Sequence, residues 1–127
     1  MDYVLVDPNE VEQWDDRPID VRSLSNQAGL TPHDAPLGLR LYCAQPGDQL
    51  PLRYHGHTEQ VEVFFVLDGE LHVETPDGDI IVGREQALFI HPGNPHRAHN
   101  PTDATAEVRV LAIGAPSTDD AYPFQVD

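Results

Sequence analysis

Proline and glycine divide this chain into short segments that leave little room for helices. Twelve prolines and nine glycines are spread over 127 residues, and the segments between them alternate between apolar and polar residues, as strands do. We predict strands over residues 3–6, 37–45, 49–55, 61–67, 70–75, 80–83, 87–91, 96–100 and 107–114. Residues 8–16 are long enough for a helical turn or two, and residues 20–36 are expected to form a long loop. Eight to ten short strands predict an all-β antiparallel sandwich or barrel.

The length favours one domain, which we divide into an N-terminal strand and loop (1–36), a barrel core (37–114) and an irregular tail (115–127). Cys43 is the single cysteine, so no intrachain disulfide can form. The first residues lack the basic start and apolar run of a signal peptide, and no apolar run is long enough to cross a bilayer. A soluble cytoplasmic protein is the expectation.

The charge is strongly acidic. There are 22 acidic and 7 basic residues, for a net charge of −15, and every basic residue is an arginine. A dispersed negative surface repels nucleic acid and anionic membranes, so neither is expected as a partner. Strong acidity without lysine is typical of proteins from salt-in halophiles, especially archaea, because high salt screens the repulsion. We favour this origin over the alternative, an ordinary acidic protein of a mesophile.

The segment 61–67, VEVFFVL, is apolar on both of its faces. Alternation puts Glu62, Phe64 and Val66 on one face, and the opposite face is also apolar. A strand covered on one side would show polar residues on the other. We therefore expect an N-terminal strand or a second subunit to cover the outside, which favours a homodimer. In residues 37–45 the apolar side chains also share one side, where Cys43 is expected to be a small core residue.

A group of potential metal ligands precedes and enters this strand. His55 and His57 are two residues apart, so on a strand their imidazoles face the same side. Glu62 follows a short turn, and an inward carboxylate among apolar residues needs a partner or a metal. A later stretch, FIHPGNPHRAHN, adds three further histidines: His91, His96 and His99. Imidazole and carboxylate ligands together suit zinc, iron, nickel or manganese.

These residues resemble the two signatures of the cupin superfamily. The first signature matches in His55-Gly-His57, Glu62 four residues on, and Gly69 six residues after that. The second matches in Gly93, His96 and Asn100, and the spacing between the two signatures is that of small cupins. The resemblance implies an antiparallel double-stranded β-helix, the jelly roll, with metal ligands His55, His57, Glu62 and His96.

The chain departs from the signatures at three places. Gly47 lies two residues further from His55 than is common, Glu85 stands where the second signature opens with glycine, and His91 replaces a proline. All four ligand positions are intact, so the departures bear on the lining of the pocket and not on metal binding.

Three functions remain open on the sequence. The first is a metal-dependent enzyme acting on a small organic molecule as an oxygenase, isomerase or lyase, with Arg53 and His91 as candidate catalytic groups on the substrate side. The second is a non-catalytic protein that binds a metal or a small ligand, and the third is a metal-free barrel with a relict site. Fold alone does not decide among them.

Overall fold

The computed structural model describes residues 3–31, 35–51 and 53–125, and antiparallel strands dominate it. A 3-10 helix, Pro8–Glu10, supplies the helical turn expected near the N-terminus. The one α-helix in the described ranges is α1, Leu24–Gln27. The described residues form ten strands: β1 (Asp20–Ser23), β2 (Gly38–Ala44), β3 (His55–His57), β4 (Val61–Asp68), β5 (Leu71–Thr75), β6 (Gly78–Val82), β7 (Ala87–Ile90), β8 (Arg97–His99), β9 (Val108–Ala115) and β10 (Ala121–Pro123).

The strands form two principal sheets that enclose the core. A five-stranded sheet has the order β1-β2-β9-β4-β7, and a three-stranded sheet has the order β6-β5-β8. A short pair, β10-β3, lies beside them. The fully buried Val66 and Val110 of the larger sheet belong to one core cluster with Leu71 and Val73 of the smaller sheet. The prediction of an all-β jelly roll is confirmed.

Strand β4 has the alternation that its sequence indicates. Phe64 and Val66 are 4% and 0% exposed and face the core, whereas Val63 and Phe65 on the outer face are half-buried. Helix α1 packs against β2 of the same sheet, where the Ser25 hydroxyl accepts a hydrogen bond from Leu39 N at 2.9 Å. The neighbouring edge strand β7 leaves Phe89 62% exposed. The homodimer stays a prediction, and this exposed end is where a second copy would pack.

The apolar side of β2 faces outward, contrary to the expectation for Cys43. Tyr42 and Ala44 belong to the core cluster, whereas Cys43 is half-buried on the opposite face. Antiparallel pairing with β9 fixes this register, because Tyr42 lies opposite the buried Val110. The strand therefore alternates with the predicted period, but the side predicted to face the core faces outward.

Three segment predictions were wrong. Residues 3–6 form no strand and pair with no described strand, so Leu5 is 99% exposed. The expected loop 20–36 contains β1 and α1, and Ser23 caps α1 by accepting from Asn26 N at 3.2 Å. Within 49–55, Gln49 makes a single bridge and the strand begins only at His55, since Pro51 has no N–H to donate. Residue 52, like residues 1–2, 32–34 and 126–127, lies outside the described ranges.

Gly69, in the first signature, and Glu85, which stands where the second signature opens with glycine, both have a positive φ. Gly69 has a φ of +81°, and an added Cβ would lie 2.6 Å from Glu107 O. Glu85 has a φ of 64° without being glycine, which costs about 1 kcal/mol. Its N–H donates to Val66 O at 2.8 Å, so pairing with the neighbouring strand holds the turn in place. No helix in the described part of the chain has the length and apolar character needed to cross a membrane.

Candidate metal centre

Backbone pairing brings the first and second histidine groups together. His55 and His96 lie opposite each other in an antiparallel bridge, with His55 N donating to His96 O at 3.1 Å and His96 N to His55 O at 2.8 Å. Their ring centroids are 4.6 Å apart. His57, two residues along β3, has its ring centroid 4.9 Å from that of His55. All three rings are buried, with exposures of 7% or less.

Each of these histidines is held through Nδ1 by an oxygen acceptor. His55 Nδ1 lies 2.6 Å from Arg53 O, and His96 Nδ1 lies 3.0 Å from Asn94 O. A carbonyl oxygen can only accept, so both Nδ1 atoms carry a proton. His57 Nδ1 lies 2.8 Å from Asp120 Oδ1, and the carboxylate again requires the proton on Nδ1. In the neutral form of each ring, Nε2 is therefore a free lone pair, as metal ligation requires.

Glu62 faces these lone pairs from β4 of the five-stranded sheet. Its Oε1 lies 2.6 Å from His96 Nε2 and its Oε2 lies 3.5 Å from His57 Nε2. Ligand atoms of His55, Glu62 and His96 all lie within 4.8 Å of one another. Nε2 of His55 and of His57 is buried without a hydrogen-bond partner in the described structure. Acceptors converging in this way need protons or a cation between them.

The protonation equilibria reflect the same crowding. Burial by itself would raise the pKa of Glu62, but its contacts with His57 and His96 outweigh burial and lower that pKa to about 2. Burial lowers the pKa of His55. The pKa of His57 is raised, because the nearby carboxylates of Glu62 and Asp120 outweigh the opposing effect of burial. The carboxylate of Glu62 is therefore ionised throughout the range in which a divalent ion would bind.

The C-terminal segment holds His57 in place, which the sequence did not reveal. Asp120 accepts from Glu59 N and Gln60 N, both at 2.7 Å, through the oxygen that does not contact His57. Burial would raise the pKa of Asp120, but these amides and His57 lower it. Strand β10 continues from Asp120 and pairs with β3. An Asp-His pair separated by 63 residues leaves no local pattern from which it could be predicted.

Gly56 allows β10 to lie close to the two histidines. An added Cβ at Gly56 would lie 2.5 Å from the Tyr122 hydroxyl oxygen and 2.6 Å from the ring carbon that bears it. The glycine of the His-Gly-His motif therefore provides space for an aromatic ring from the end of the chain. That close approach keeps Asp120 within reach of His57.

The donor set fits a divalent transition metal. Three imidazole Nε2 atoms and one carboxylate suit zinc, iron, nickel or manganese and do not select among them. The second contacts of the rings are those expected of metal-binding histidines, whose other nitrogen donates to a carbonyl or a carboxylate. The ligand atoms of His55, Glu62 and His96 lie within 4.8 Å of one another, and His57 Nε2 lies 3.5 Å from Glu62 Oε2.

A cavity of about 670 Å³ adjoins this centre. All four predicted ligands line it, and so does Arg53, whose exposed side chain lies at its rim. His91 is exposed and is absent from the cavity lining in the described structure. Of the two substrate-side candidates, Arg53 therefore lies at the cavity and His91 does not.

The fold and this centre define a small jelly-roll protein with a candidate site for one divalent metal ion and a cavity beside it. Residues 40–114 match the family model of the cupin domain, Cupin_2. This match covers more than half of the chain, and the protein belongs to that family. No curated protein sequence is significantly similar to this chain.

Solved structures share the fold at low sequence identity. A cupin-superfamily sugar phosphate isomerase from Silicibacter pomeroyi is 23% identical with a TM-score of 0.79, over 98% of this chain and 83% of the other. The polyketide cyclase RemF from Streptomyces resistomycificus is 20% identical with a TM-score of 0.77, over 98% and 87%. A Cupin 2 conserved barrel protein from Salinispora arenicola is 18% identical with a TM-score of 0.62, over 92% and 90%.

Proposed function

We propose that the protein is a metal-dependent enzyme that acts on a small organic molecule as an oxygenase, isomerase or lyase. The observation that carries the proposal is the shared arrangement of His55, His57 and His96, each held through Nδ1 so that Nε2 faces Glu62 beside a cavity. Four such donors leave two coordination positions free on an octahedral ion. Structural metal sites have all their positions filled by protein ligands, whereas catalytic sites keep a position open for water or substrate.

The residues of the chain have distinct parts in this proposal. His55, His57, His96 and Glu62 would hold the ion, which when bound supplies Lewis acidity to a substrate oxygen or, as iron, a redox centre. Phe64 and the other apolar residues of the cavity wall limit the water that reaches the site. An isomerase would be consistent with the sugar phosphate isomerase among the structural neighbours.

The metal content tests the proposal directly. Protein purified without an affinity tag is expected to contain close to one transition-metal ion per chain by elemental analysis. A His96→Ala variant is expected to lose most of it. His99→Ala is the matched control, because His96 immediately precedes β8 and alternation along the extended chain puts His99 on the opposite side. Full metal content in the His96→Ala protein would refute the ligand assignment.

Two outcomes would favour the alternatives. Stoichiometric metal with no exchangeable water, measured by relaxation of solvent protons in the manganese-loaded protein, would favour a non-catalytic site. Absence of any bound metal, together with unchanged thermal stability on adding zinc, iron, nickel or manganese, would favour a barrel with a relict site.

We also propose that the protein works in the cytoplasm of a salt-in halophile, especially an archaeon. The support is compositional: 22 acidic residues stand against 7 arginines, with no lysine and a single cysteine. A molecule with a charge of −15 gains most from the screening that molar salt provides.

A further inference from the structure

The cavity beside the metal centre reverses the charge of the surrounding surface. Three of the seven arginines line it, namely Arg17, Arg40 and Arg53. Among the described residues, Glu62 and Asp119 are the only carboxylates in its lining, from a chain with 22 acidic residues. Since Glu62 faces the metal site, a bound divalent ion would more than neutralise it. A positive cavity in so acidic a protein indicates an anionic ligand.

Arg40 occupies an inward position on the floor of the cavity. It lies on β2 opposite Ala112 of β9, and Ala112 lies opposite Phe64 of β4, so these three residues share the inner face. Glu62 is in the adjacent row of the same face, opposite Gly114. The residues between Arg40 and Glu62 are thus small. Two strand spacings separate the two main chains, about 10 Å across the sheet.

Trp14 holds Arg40 close to a second arginine. The guanidinium carbon of Arg40 lies 4.8 Å from the centroid of the Trp14 ring, and that of Arg17 lies 5.1 Å from the same centroid. Cation–π contacts stabilise both groups, but they do not neutralise the charge. Arg17 is also paired with Asp16, so Arg40 is the one of the two whose charge is left for an anionic ligand.

Arg40 and Arg53 have no acidic partner in the described structure. The arginine ion pairs found there join Arg17 to Asp16, Arg22 to Asp20 and Arg97 to Glu74. A half-buried guanidinium without a carboxylate is uncommon in a chain with three times as many acids as bases, because such groups normally pair. Arg40 also lies two residues before the buried Tyr42 on the same face, which restricts its side chain to the cavity side.

We propose that the cavity binds a small organic anion that carries one phosphate or carboxylate group and several oxygen atoms, with Arg40 binding the anionic group and the metal centre binding oxygens at the other end. This assignment rests on the proposed function, since the metal defines the far end of the ligand. The main chains of Arg40 and Glu62 are two strand spacings apart, which leaves room between their side chains for a small ligand and not for a polymer. Arg17 and Arg53 add positive charge around the anionic group.

Three matched probes test the proposal: ribose 5-phosphate, ribonate and uncharged ribose. Each is titrated into the metal-loaded protein by calorimetry and by the fluorescence of Trp14, the single tryptophan of the chain. We expect at least one of the two anions to bind ten times more tightly than ribose and to change the Trp14 emission. A preference for ribose 5-phosphate over ribonate, or the reverse, identifies the anionic group.

Arg40→Gln is expected to weaken binding of the preferred anion about 10- to 100-fold, as loss of a charge-assisted contact does. Its metal content and its weak binding of ribose should not change. Arg84→Gln is the control, because Arg84 is exposed and outside the cavity lining, and it should bind the anion as the parent protein does.

Equal binding of ribose and both anions, or no binding of either anion, would overturn the proposal. So would an Arg40→Gln protein that keeps the full affinity. Metal-free protein is titrated in parallel, because the arginines do not depend on the ion. Retention of the preference for an anion in a protein that binds no metal would contradict the proposed metal centre and support the anion site.

Discussion

Replacing Asp120 by asparagine is expected to weaken metal binding while leaving the fold intact. In the parent protein, Asp120 Oδ2 receives two backbone N–H groups and Oδ1 receives His57 Nδ1–H. An asparagine has one oxygen for these two positions. Two donors converge on the backbone side, so the amide oxygen is expected to remain there and the NH₂ group to face His57.

This orientation would change the tautomer of His57. An NH₂ group can only donate, so Nδ1 becomes an acceptor and the ring proton moves to Nε2, the atom that faces Glu62. His57 then presents a hydrogen where a ligand lone pair is required. Outer contacts of this kind are worth about 10- to 100-fold in metal affinity, or about 1.4–2.8 kcal/mol. The free energy of unfolding of the metal-free protein should fall by about 1–2 kcal/mol, because the three hydrogen bonds of Asp120 are kept but lose the negative charge that strengthens them.

Competition with a chromophoric chelator measures the affinity, and nitrogen chemical shifts of labelled histidine report the tautomer. Asp119→Asn is the matched control, since it removes the same charge one residue earlier. Asp119 lines the cavity, and no hydrogen bond joins it to a histidine among the described residues. We expect the control to retain affinity within a factor of about three. An Asp120→Asn protein with parental affinity and a proton on His57 Nδ1 would refute the reasoning.

Other consequences of the structure can be tested separately. Gly56→Ala is expected to lower the melting temperature in calorimetry, because the added methyl group overlaps the Tyr122 ring; an unchanged value would contradict the close approach. Burial raises the pKa of the Cys43 thiol, so in the native protein it should react with a disulfide reagent at pH 8 more slowly than in denaturant, and equal rates would refute this. Sedimentation is expected to show a dimer that Phe89→Asp dissociates, whereas a monomeric parent protein would exclude the homodimer. The melting temperature should rise between 0.1 and 2 M NaCl, since a charge of −15 is then screened, and a fall would count against the halophilic origin.

Periodicity predicted which face of β4 is inward and that Glu62 lies on that face, because both follow from the spacing of residues within one strand. Glu62, Phe64 and Val66 lie two residues apart, and any regular strand puts them on one face. The same rule could not tell which side of β2 faces inward. Helix α1 packs against β2, Leu41 on the outer side of that strand is 2% exposed, and Arg40 on the other side lines the cavity.

Pairing between distant segments explains the remaining differences. Residues 3–6 have a strand-like sequence but pair with no described strand, whereas the polar residues 20–23 form β1 because β2 offers them an edge. In the candidate site, the spacing of the residues was enough to identify His55, His57 and Glu62 in the first signature and His96 in the second. Asp120 and Trp14 could not, since their roles depend on contacts with His57 and Arg40 that no local pattern records.

Strand β10 makes a segment distant in sequence part of the candidate metal centre. If Asp120 has to be in place for His57 to present Nε2, every event that frees β10 also releases a ligand. Occupancy of the centre and proteolysis of the β10 segment are then opposing processes linked through one equilibrium. An endoprotease that cleaves this segment only when it is detached would cut the saturated protein slowly and the chelated protein quickly, and the rate of cleavage would report how much ion the protein holds.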